Sequence, residues 1–221
     1  PGAPRASLTD APAAGGRFRF RSLPPPHSRA MEPIRLIVGL GNPGREYART
    51  FHNMGFLALD RLSDRLRIPT DRLRFKGVCG LGRVGDGQVL LLKPATYMNL
   101  SGESVREAAA FYKIPPERIL VLYDDIDIEI GRIRIREQGG PGSHNGMKSV
   151  IARLGSEQFP RVRIGIGPLP EHWDIVKYVL SAVPEDRQAT LDQALDRAAE
   201  AAETCVREGV MKAMNRINTR L

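Results

Sequence analysis

The segment LIVGLGNPGREYARTFHNMGF, residues 36–56, predicts the start of an α/β fold, because an apolar strand runs into a glycine-rich loop and then into a helix. The strand belongs to the apolar run 34–40, whose continuous hydrophobicity is typical of a buried strand. The helix is predicted over 54–66, where leucines recur at helical spacing.

Strands and helices continue to alternate downstream, which predicts an α/β layer fold without an interdomain linker. The turn Gly85-Asp86-Gly87 joins two strands as a hairpin, so we expect a twisted mixed sheet flanked by helices. Further strands are predicted at 78–84, 89–92, 119–123, 133–136 and 162–167. Further helices are predicted at 101–113, with Ser101 as its N-cap, and at 147–154 and 185–215.

The first thirty residues differ in composition from the rest of the chain. Five arginines and one aspartate give them a charge of +4, and the remaining 28 basic and 24 acidic residues also give +4. Proline is frequent there and apolar periodicity is weak, so residues 1–30 are expected to be a disordered, non-functional extension, upstream of a true start at Met31. The alternative is an organellar transit peptide. A mildly basic body, 31–221, permits RNA binding without arguing for it.

Composition also limits the class of protein. No apolar run approaches the roughly 20 residues that a membrane span needs, so no membrane partner is expected. Cys79 and Cys205 have neither zinc-site nor disulfide spacing, which favours a reducing compartment.

The glycine-rich loop, residues 39–44, matches the G-x-G-x-x-G pattern of dinucleotide-binding enzymes. In those proteins the loop opens directly into a helix, and an acidic residue ends the second strand about 20 residues later. Here the helix starts only near residue 53, and Asp60 and Asp64 fall within it. The spacing disfavours a nicotinamide-dependent oxidoreductase.

Two of the four histidines are candidates for chemistry. His52 and His144 each precede an asparagine just before a helix, in loops that could meet at the sheet edge. Asp124, in the cluster that ends a predicted strand, could orient one of them as a base. A bound metal is the rival interpretation, but the chain lacks the H-x-x-x-H and H-E-x-x-H spacings, so no metal and no cofactor are predicted.

Three asparagines lie in separate glycine- or proline-bounded loops: Asn42, Asn99 and Asn145. Turn asparagines usually serve backbone geometry. They could also form an amide cluster that offers uncharged donors and acceptors to a carbonyl substrate.

Four stretches together resemble the bacterial-type peptidyl-tRNA hydrolases: LIVGLGNPGREYARTFHNMGF (36–56), LLKPATYMNLSG (91–102), YDDIDIEIGRIRIREQGGPGSHNGMKSVIARLG (123–155) and RVRIGIG (161–167). The motifs G-N-P-G, H-N, M-N-L-S-G and H-N-G follow in this order, and the likeness covers about 34–216. It implies hydrolysis of the ester of ribosome-free peptidyl-tRNA, by a cytoplasmic monomer whose partner is peptidyl-tRNA.

The resemblance also implies roles for individual residues. His52 matches the general base that activates water, Asp124 the carboxylate that keeps it oriented and basic, and Asn42 the residue that separates N-blocked from free aminoacyl esters. Asn99 and Asn145 match residues that contact substrate and water, and Tyr47 and Tyr97 match residues that line the acceptor end of the tRNA. Basic residues near the tRNA phosphates are matched by Arg134, Arg136 and Arg163.

The chain departs from the family pattern at four positions. Pro141 and Ser143 stand where His and Gly are frequent, Tyr123 stands where His is frequent, and Tyr97 stands where Phe is common. A non-catalytic RNA-binding protein on the same fold, as in chloroplast splicing factors, is the main alternative. Such a protein need not retain the His–Asp–Asn set, so its presence favours the enzyme.

Overall fold

The computed structural model describes residues 36–219, and a seven-stranded sheet lies at the centre of this part of the chain. The strands are β1 Leu36–Gly39, β2 Arg72–Arg74, β3 Gly77–Val84, β4 Gly87–Pro94, β5 Ile119–Glu129, β6 Ile133–Arg136 and β7 Arg161–Gly167. Their order is β2-β3-β4-β1-β5-β7-β6. β1 pairs in parallel with β4 and β5, and β5 with β7, whereas β3 and β6 run antiparallel to their neighbours. The predicted α/β class with a mixed sheet is confirmed.

Helices cover both faces of the sheet: α1 Met54–Leu66, α2 Ser101–Tyr112, α3 Asn145–Leu154, α4 Ile175–Val179, α5 Glu185–Glu208 and α6 Val210–Ile217. Side chains alternate along β1, so Ile37 packs in the core with α1 and α5, while Leu36 and Val38 pack in the core with α2 and α3. Two buried apolar layers therefore hold the central strands in place.

The helix α1 packs directly on the central strands because two glycines allow close approach. A Cβ added to Gly39 would lie 2.3 Å from the carbonyl oxygen of Gly55, and one added to Gly55 would lie 2.3 Å from that of Leu122. The glycine-rich loop is followed by a 3-10 turn, Arg45–Tyr47, and α1 begins only at Met54. The loop therefore does not open into a helix, as a dinucleotide site would require.

Three details of the predicted elements are wrong. β5 continues to Glu129, so the acidic cluster lies within the strand, where Asp125 is paired with Arg163. The predicted helix 185–215 is broken at Gly209, whose φ of +95° separates α5 from α6. Ser101 is the first residue of α2, and Leu100 occupies the N-cap position without a side-chain cap. The short elements β2 and α4 were not predicted, because three and five residues show too little periodicity.

No helix in the described part of the chain is long and apolar enough to cross a bilayer. Both cysteines are buried and unpaired. The expected disordered extension, residues 1–30, lies outside the described residues.

Candidate active site

The carboxyl ends of neighbouring parallel strands bring the predicted site residues to one edge of the sheet. Asn42 follows β1, Asn99 lies in a 3-10 turn after β4, and Asp124 lies on β5. His52 lies in the 3-10 turn Phe51–Asn53, immediately before α1. Because α1 returns against β1 and β5, this turn is held beside Asp124.

His52 and Asp124 form the centre of the site. Nδ1 of His52 lies 2.9 Å from Oδ2 of Asp124, and both side chains are buried. The carboxylate is an acceptor, so Nδ1 carries the proton and donates it to this hydrogen bond. That tautomer leaves Nε2 of the neutral ring unprotonated, which is the state that a general base requires.

His144 binds the other oxygen of the same carboxylate. Its Nε2 lies 3.1 Å from Oδ1 of Asp124, while the backbone N–H of Met147 donates to its Nδ1 at 3.2 Å and caps α3. A ring nitrogen that accepts from an N–H carries no proton, so the proton of neutral His144 resides on Nε2 and is donated to Asp124. The two histidine-bearing loops do meet, with ring centroids 4.7 Å apart.

The electrostatics of this cluster favour a charged carboxylate and a basic imidazole. Burial by itself would raise the pKa of Asp124, but the charges and hydrogen bonds of His52 and His144 hold it well below its usual range. Burial opposes protonation of His52, yet the negative charge of Asp124 and its hydrogen bond prevail and raise the pKa of His52. Asp124 therefore both orients His52 and increases its basicity.

Asn42 is held in one orientation by its neighbours. Its Oδ1 accepts from the backbone N–H of Met98 at 2.8 Å, which leaves the Nδ2 group as the donor available elsewhere. Its backbone N–H donates to Oδ1 of Asn53 at 2.8 Å, and Nδ2 of Asn53 donates back to the carbonyl oxygen of Asn42 at 3.0 Å. Since Asn53 directly follows His52, these bonds hold the backbone of Asn42 beside the turn that carries His52.

Three further residues that were predicted to contact substrate, water or tRNA lie at least partly at the surface. Tyr97 is 60% exposed, Tyr47 is half-buried, and Asn99 is exposed. Among the described residues, the amides of Asn42, Asn99 and Asn145 form no hydrogen bonds with one another, so they are not a bonded amide cluster.

A cavity of about 480 Å³ begins at His52 and Asp124 and extends along β5 and β7. The loop 138–144 forms one wall, and Ile175, Val176 and Val179 of α4 form an apolar part of the lining. The lining also includes three of the predicted contact residues: Asn145, Arg136 and Arg163.

The predicted arginines share one face of the sheet. β6 and β7 are antiparallel neighbours, with Arg134 opposite Arg163 and Arg136 opposite Arg161. Arg136 is exposed at the cavity rim. Arg163 donates from Nε to Asp125 at 2.6 Å, whereas Arg134 lies outside the cavity and donates to the carbonyl oxygen of Asn218 at 3.1 Å.

His52, Asp124 and His144 could also be read as metal ligands, because their ligand atoms lie within 4.8 Å of one another. A metal on Nε2 of His144 would require the proton to move to Nδ1, and Nδ1 accepts the N–H of Met147. Metal binding would therefore break the cap of α3. The observed hydrogen bonds fit a proton-transfer site better than a metal site.

The sequence predicted His144 only as a candidate for chemistry, without a specific role, and it did not single out Asn53. The paired His-Asn motifs drew attention to His144, but its contact with Asp124 depends on loop geometry. Asn53 offered no signal beyond its place after His52.

The sequence profile of the peptidyl-tRNA hydrolase family matches residues 36–221. The chain is 49% identical over 183 residues to the peptidyl-tRNA hydrolase of Lachnoclostridium phytofermentans, covering 83% of this chain and 96% of that protein. It is 51% identical to that of Caldanaerobacter subterraneus subsp. tengcongensis, over 83% and 98% of the two chains. The crystal structure of peptidyl-tRNA hydrolase from Acinetobacter baumannii is similar, with a TM-score of 0.79 and 41% identity over 84% of this chain and 95% of that one. The chain belongs to the peptidyl-tRNA hydrolase family.

Proposed function

We propose that this protein hydrolyses the ester bond of peptidyl-tRNA with His52 as the general base. The observation that carries the proposal is the bond between His52 Nδ1 and Asp124 Oδ2, at 2.9 Å in a buried setting beside an open cavity. The bond leaves Nε2 free to accept a proton from water. The relatives' shared name supplies the substrate, an ester between a peptide and the tRNA ribose.

The proton transfers follow from the tautomer. Nε2 of His52 removes a proton from water as the oxygen attacks the ester carbonyl, and the resulting imidazolium is stabilised by the charge of Asp124. The proton then passes to the ribose oxygen as the ester bond breaks. The products are a peptide with a free carboxylate and a tRNA with a free ribose hydroxyl.

The fixed amide of Asn42 supports discrimination between substrates. An N-blocked ester presents a peptide carbonyl, which can accept a hydrogen bond from Nδ2. A free aminoacyl ester presents an amino group that is largely a donor-only ammonium near neutral pH. The amide is therefore matched to the first substrate and mismatched to the second.

The other predicted residues are proposed to bind substrate, water or tRNA. Asn99 and Asn145 can offer amide donors to the developing oxyanion or position the attacking water. Tyr47 and Tyr97 can stack against nucleotides of the acceptor end. Arg134, Arg136 and Arg163 are proposed to contact tRNA phosphates, and the exposed position of Arg136 at the cavity rim supports this role most directly.

The proposed reaction uses no metal and requires one protein chain. We propose that the protein acts as a monomer, because the proposed proton transfers use only His52 and Asp124 of this chain. We place the reaction in the cytoplasm, where ribosomes release peptidyl-tRNA.

The deciding experiment compares N-acetyl-aminoacyl-tRNA with unblocked aminoacyl-tRNA, each with and without EDTA. The proposal predicts selective release of the acetylated amino acid, unaffected by the chelator. Loss of hydrolysis with EDTA and recovery with a divalent ion would contradict the metal-free mechanism. Binding of tRNA without release of either amino acid would instead support the RNA-binding alternative.

A further inference from the structure

A buried arginine, Arg161, is the first residue of β7 and belongs to the lining of the cavity that contains His52 and Asp124. The side chain of Arg161 is only 1% exposed and is among the largest fully buried side chains of the described residues. Burying a guanidinium costs free energy unless hydrogen bonds replace the water that it loses. Its partners therefore indicate which part of the fold this charge serves.

The guanidinium of Arg161 donates to backbone carbonyl oxygens of two separate segments, and it also interacts with the side chain of Tyr123 on β5. Nη1 donates to the carbonyl oxygens of Gly139 and Gly140, the latter at 3.3 Å. Nη2 donates to the carbonyl oxygens of Glu157 at 2.9 Å and of Phe159 at 3.2 Å, and the guanidinium lies 4.3 Å from the centre of the Phe159 ring. Arginine suits this arrangement because its planar fork carries five donors in fixed directions.

These two segments are the beginning and the end of one excursion of the chain. β6 ends at Arg136, directly opposite Arg161, and residues 137–160 lie between the two strands. The excursion contains α3 and the loop that forms a wall of the cavity. One guanidinium thus ties the outgoing and returning segments together at the base of the excursion.

The tied loop leads directly to His144. Gly140 precedes a turn in which the backbone N–H of His144 donates to the carbonyl oxygen of Pro141 at 3.2 Å. The ring of His144 then donates to Asp124, which holds His52. A connected path of hydrogen bonds and short backbone segments therefore runs from Arg161 to the proposed base.

We infer that Arg161 is a positioning residue, which holds the excursion 137–160 so that His144 meets Asp124 and Asn145 faces the cavity. The inference rests on the proposed function for its effect on hydrolysis, but not for its effect on the loop. The loop has much conformational freedom because it contains Gly139, Gly140 and Gly142. Hydrogen bonds from Arg161, which lies outside the loop, can therefore restrict its conformation.

The test compares Arg161→Lys with Arg161→Met. Lysine retains the charge, but a single ammonium cannot donate to both segments as the fork does. Methionine removes charge and donors together. The matched control is Arg153→Met, because Arg153 lies on the same excursion at the surface and forms an exposed ion pair with Glu103. Such pairs contribute little to stability.

The direct readout is the imidazole N–H proton resonances of His52 and His144 in protein labelled with ¹⁵N-histidine. We expect Arg161→Lys to lose the His144 Nε2–H resonance through exchange with water and to retain the His52 Nδ1–H resonance. We also expect kcat for N-acetyl-aminoacyl-tRNA to fall about 10- to 100-fold, as for other misplacements by about 1 Å. The control should change neither.

The inference is overturned if folded Arg161→Lys retains the His144 resonance and wild-type kcat. It is also overturned if the Arg161→Lys variant unfolds at a lower temperature than wild type and loses both histidine resonances together. Arg161 would then stabilise the whole fold and not the loop alone. If Arg161→Met does not fold, Arg161→Lys alone decides. If the wild-type protein has no hydrolytic activity, the proposed function is refuted. The His144 Nε2–H resonance of the Arg161 variants would still test whether Arg161 positions the loop.

Discussion

His144 donates its Nε2 proton to Oδ1 of Asp124 at 3.1 Å, although its own ring is also the N-cap of α3. One side chain thus joins a helix terminus to the carboxylate that supports the proposed base. The two interactions use different ring nitrogens, so they can be separated by substitution.

His144→Asn should separate the two interactions. Asparagine is a good N-cap and preserves the start of α3, but its amide is too short to reach Asp124 as the imidazole does. We expect kcat to fall about tenfold, the rate equivalent of one hydrogen bond, and the free energy of unfolding to fall by about 1–3 kcal/mol, because the buried Oδ1 of Asp124 loses a donor. His144→Ala should remove both interactions and reduce the free energy of unfolding by about 1 kcal/mol more, because the cap of α3 is also lost. Equal decreases of stability in the two variants would contradict this separation.

His52→Ala should remove most of the hydrolysis. Removal of a general base typically costs about 10²- to 10⁴-fold in rate, whereas tRNA binding, measured by filter retention, should be unchanged. His172→Ala is the control because His172 is exposed in a surface turn. Activity of the His52 variant within a factor of about two of wild type would remove His52 from the mechanism.

Asp124→Asn should shift the acidic limb of the kcat/KM profile to lower pH. Hydrolysis requires unprotonated His52, so activity rises with pH through the pKa of that group. Asp124 raises this pKa, and removing its charge lowers it. On the plateau kcat should fall with little change in KM, because orientation of the base matters mainly in the transition state. The exposed Asp127→Asn serves as control, and an unshifted limb would assign the pH dependence to another group.

Asn42→Asp should reduce selectivity. The substitution keeps an oxygen for the N–H of Met98 but replaces the Nδ2 donor by an oxygen that attracts an ammonium group. The ratio of kcat/KM for N-acetyl-aminoacyl-tRNA over aminoacyl-tRNA should fall about tenfold or more, the range expected for one hydrogen bond to a charged group. Equal decreases of kcat/KM for the two substrates would indicate that Asn42 has a structural role and does not select between them.

Arg136→Ala should raise KM for the tRNA-linked substrate, because one guanidinium no longer binds a phosphate. The logarithmic salt dependence should flatten by about 0.7–0.9 for each phosphate that the variant no longer binds. A minimal peptidyl-nucleotide ester should be hydrolysed as before. Arg132→Ala is the control, since Arg132 is exposed and pairs with Glu129.

Arg163 requires a paired substitution, Arg163→Ala together with Asp125→Asn. Arg163→Ala alone would leave Asp125 without its ion-pair partner. The double variant should show the same rise in KM for the tRNA-linked substrate and the same unchanged hydrolysis of the minimal ester. Equal loss of activity on the tRNA-linked substrate and on the minimal ester would exclude phosphate binding as the role of these arginines.

Local patterns predicted much of the fold. The helix 54–66 and the strand 133–136 agree with α1 and β6, because periodicity and flanking turn residues act over short distances. The predicted helix 185–215 is interrupted at Gly209. The positive φ of this glycine ends α5, although the apolar stripe of side chains continues beyond it. β5 extends past its predicted end because its backbone continues to pair with β7 as far as Glu129, opposite Gly167.

By itself, the sequence determined the family motifs, the mixed α/β architecture and the candidates His52, Asp124 and Asn42. Only the tertiary structure decided that His144 shares Asp124 with His52, that Asn53 holds Asn42, and that Arg161 ties the cavity loop. These interactions join residues up to 72 positions apart. Their hydrogen bonds depend on strand register and loop path, which no local pattern of residues encodes.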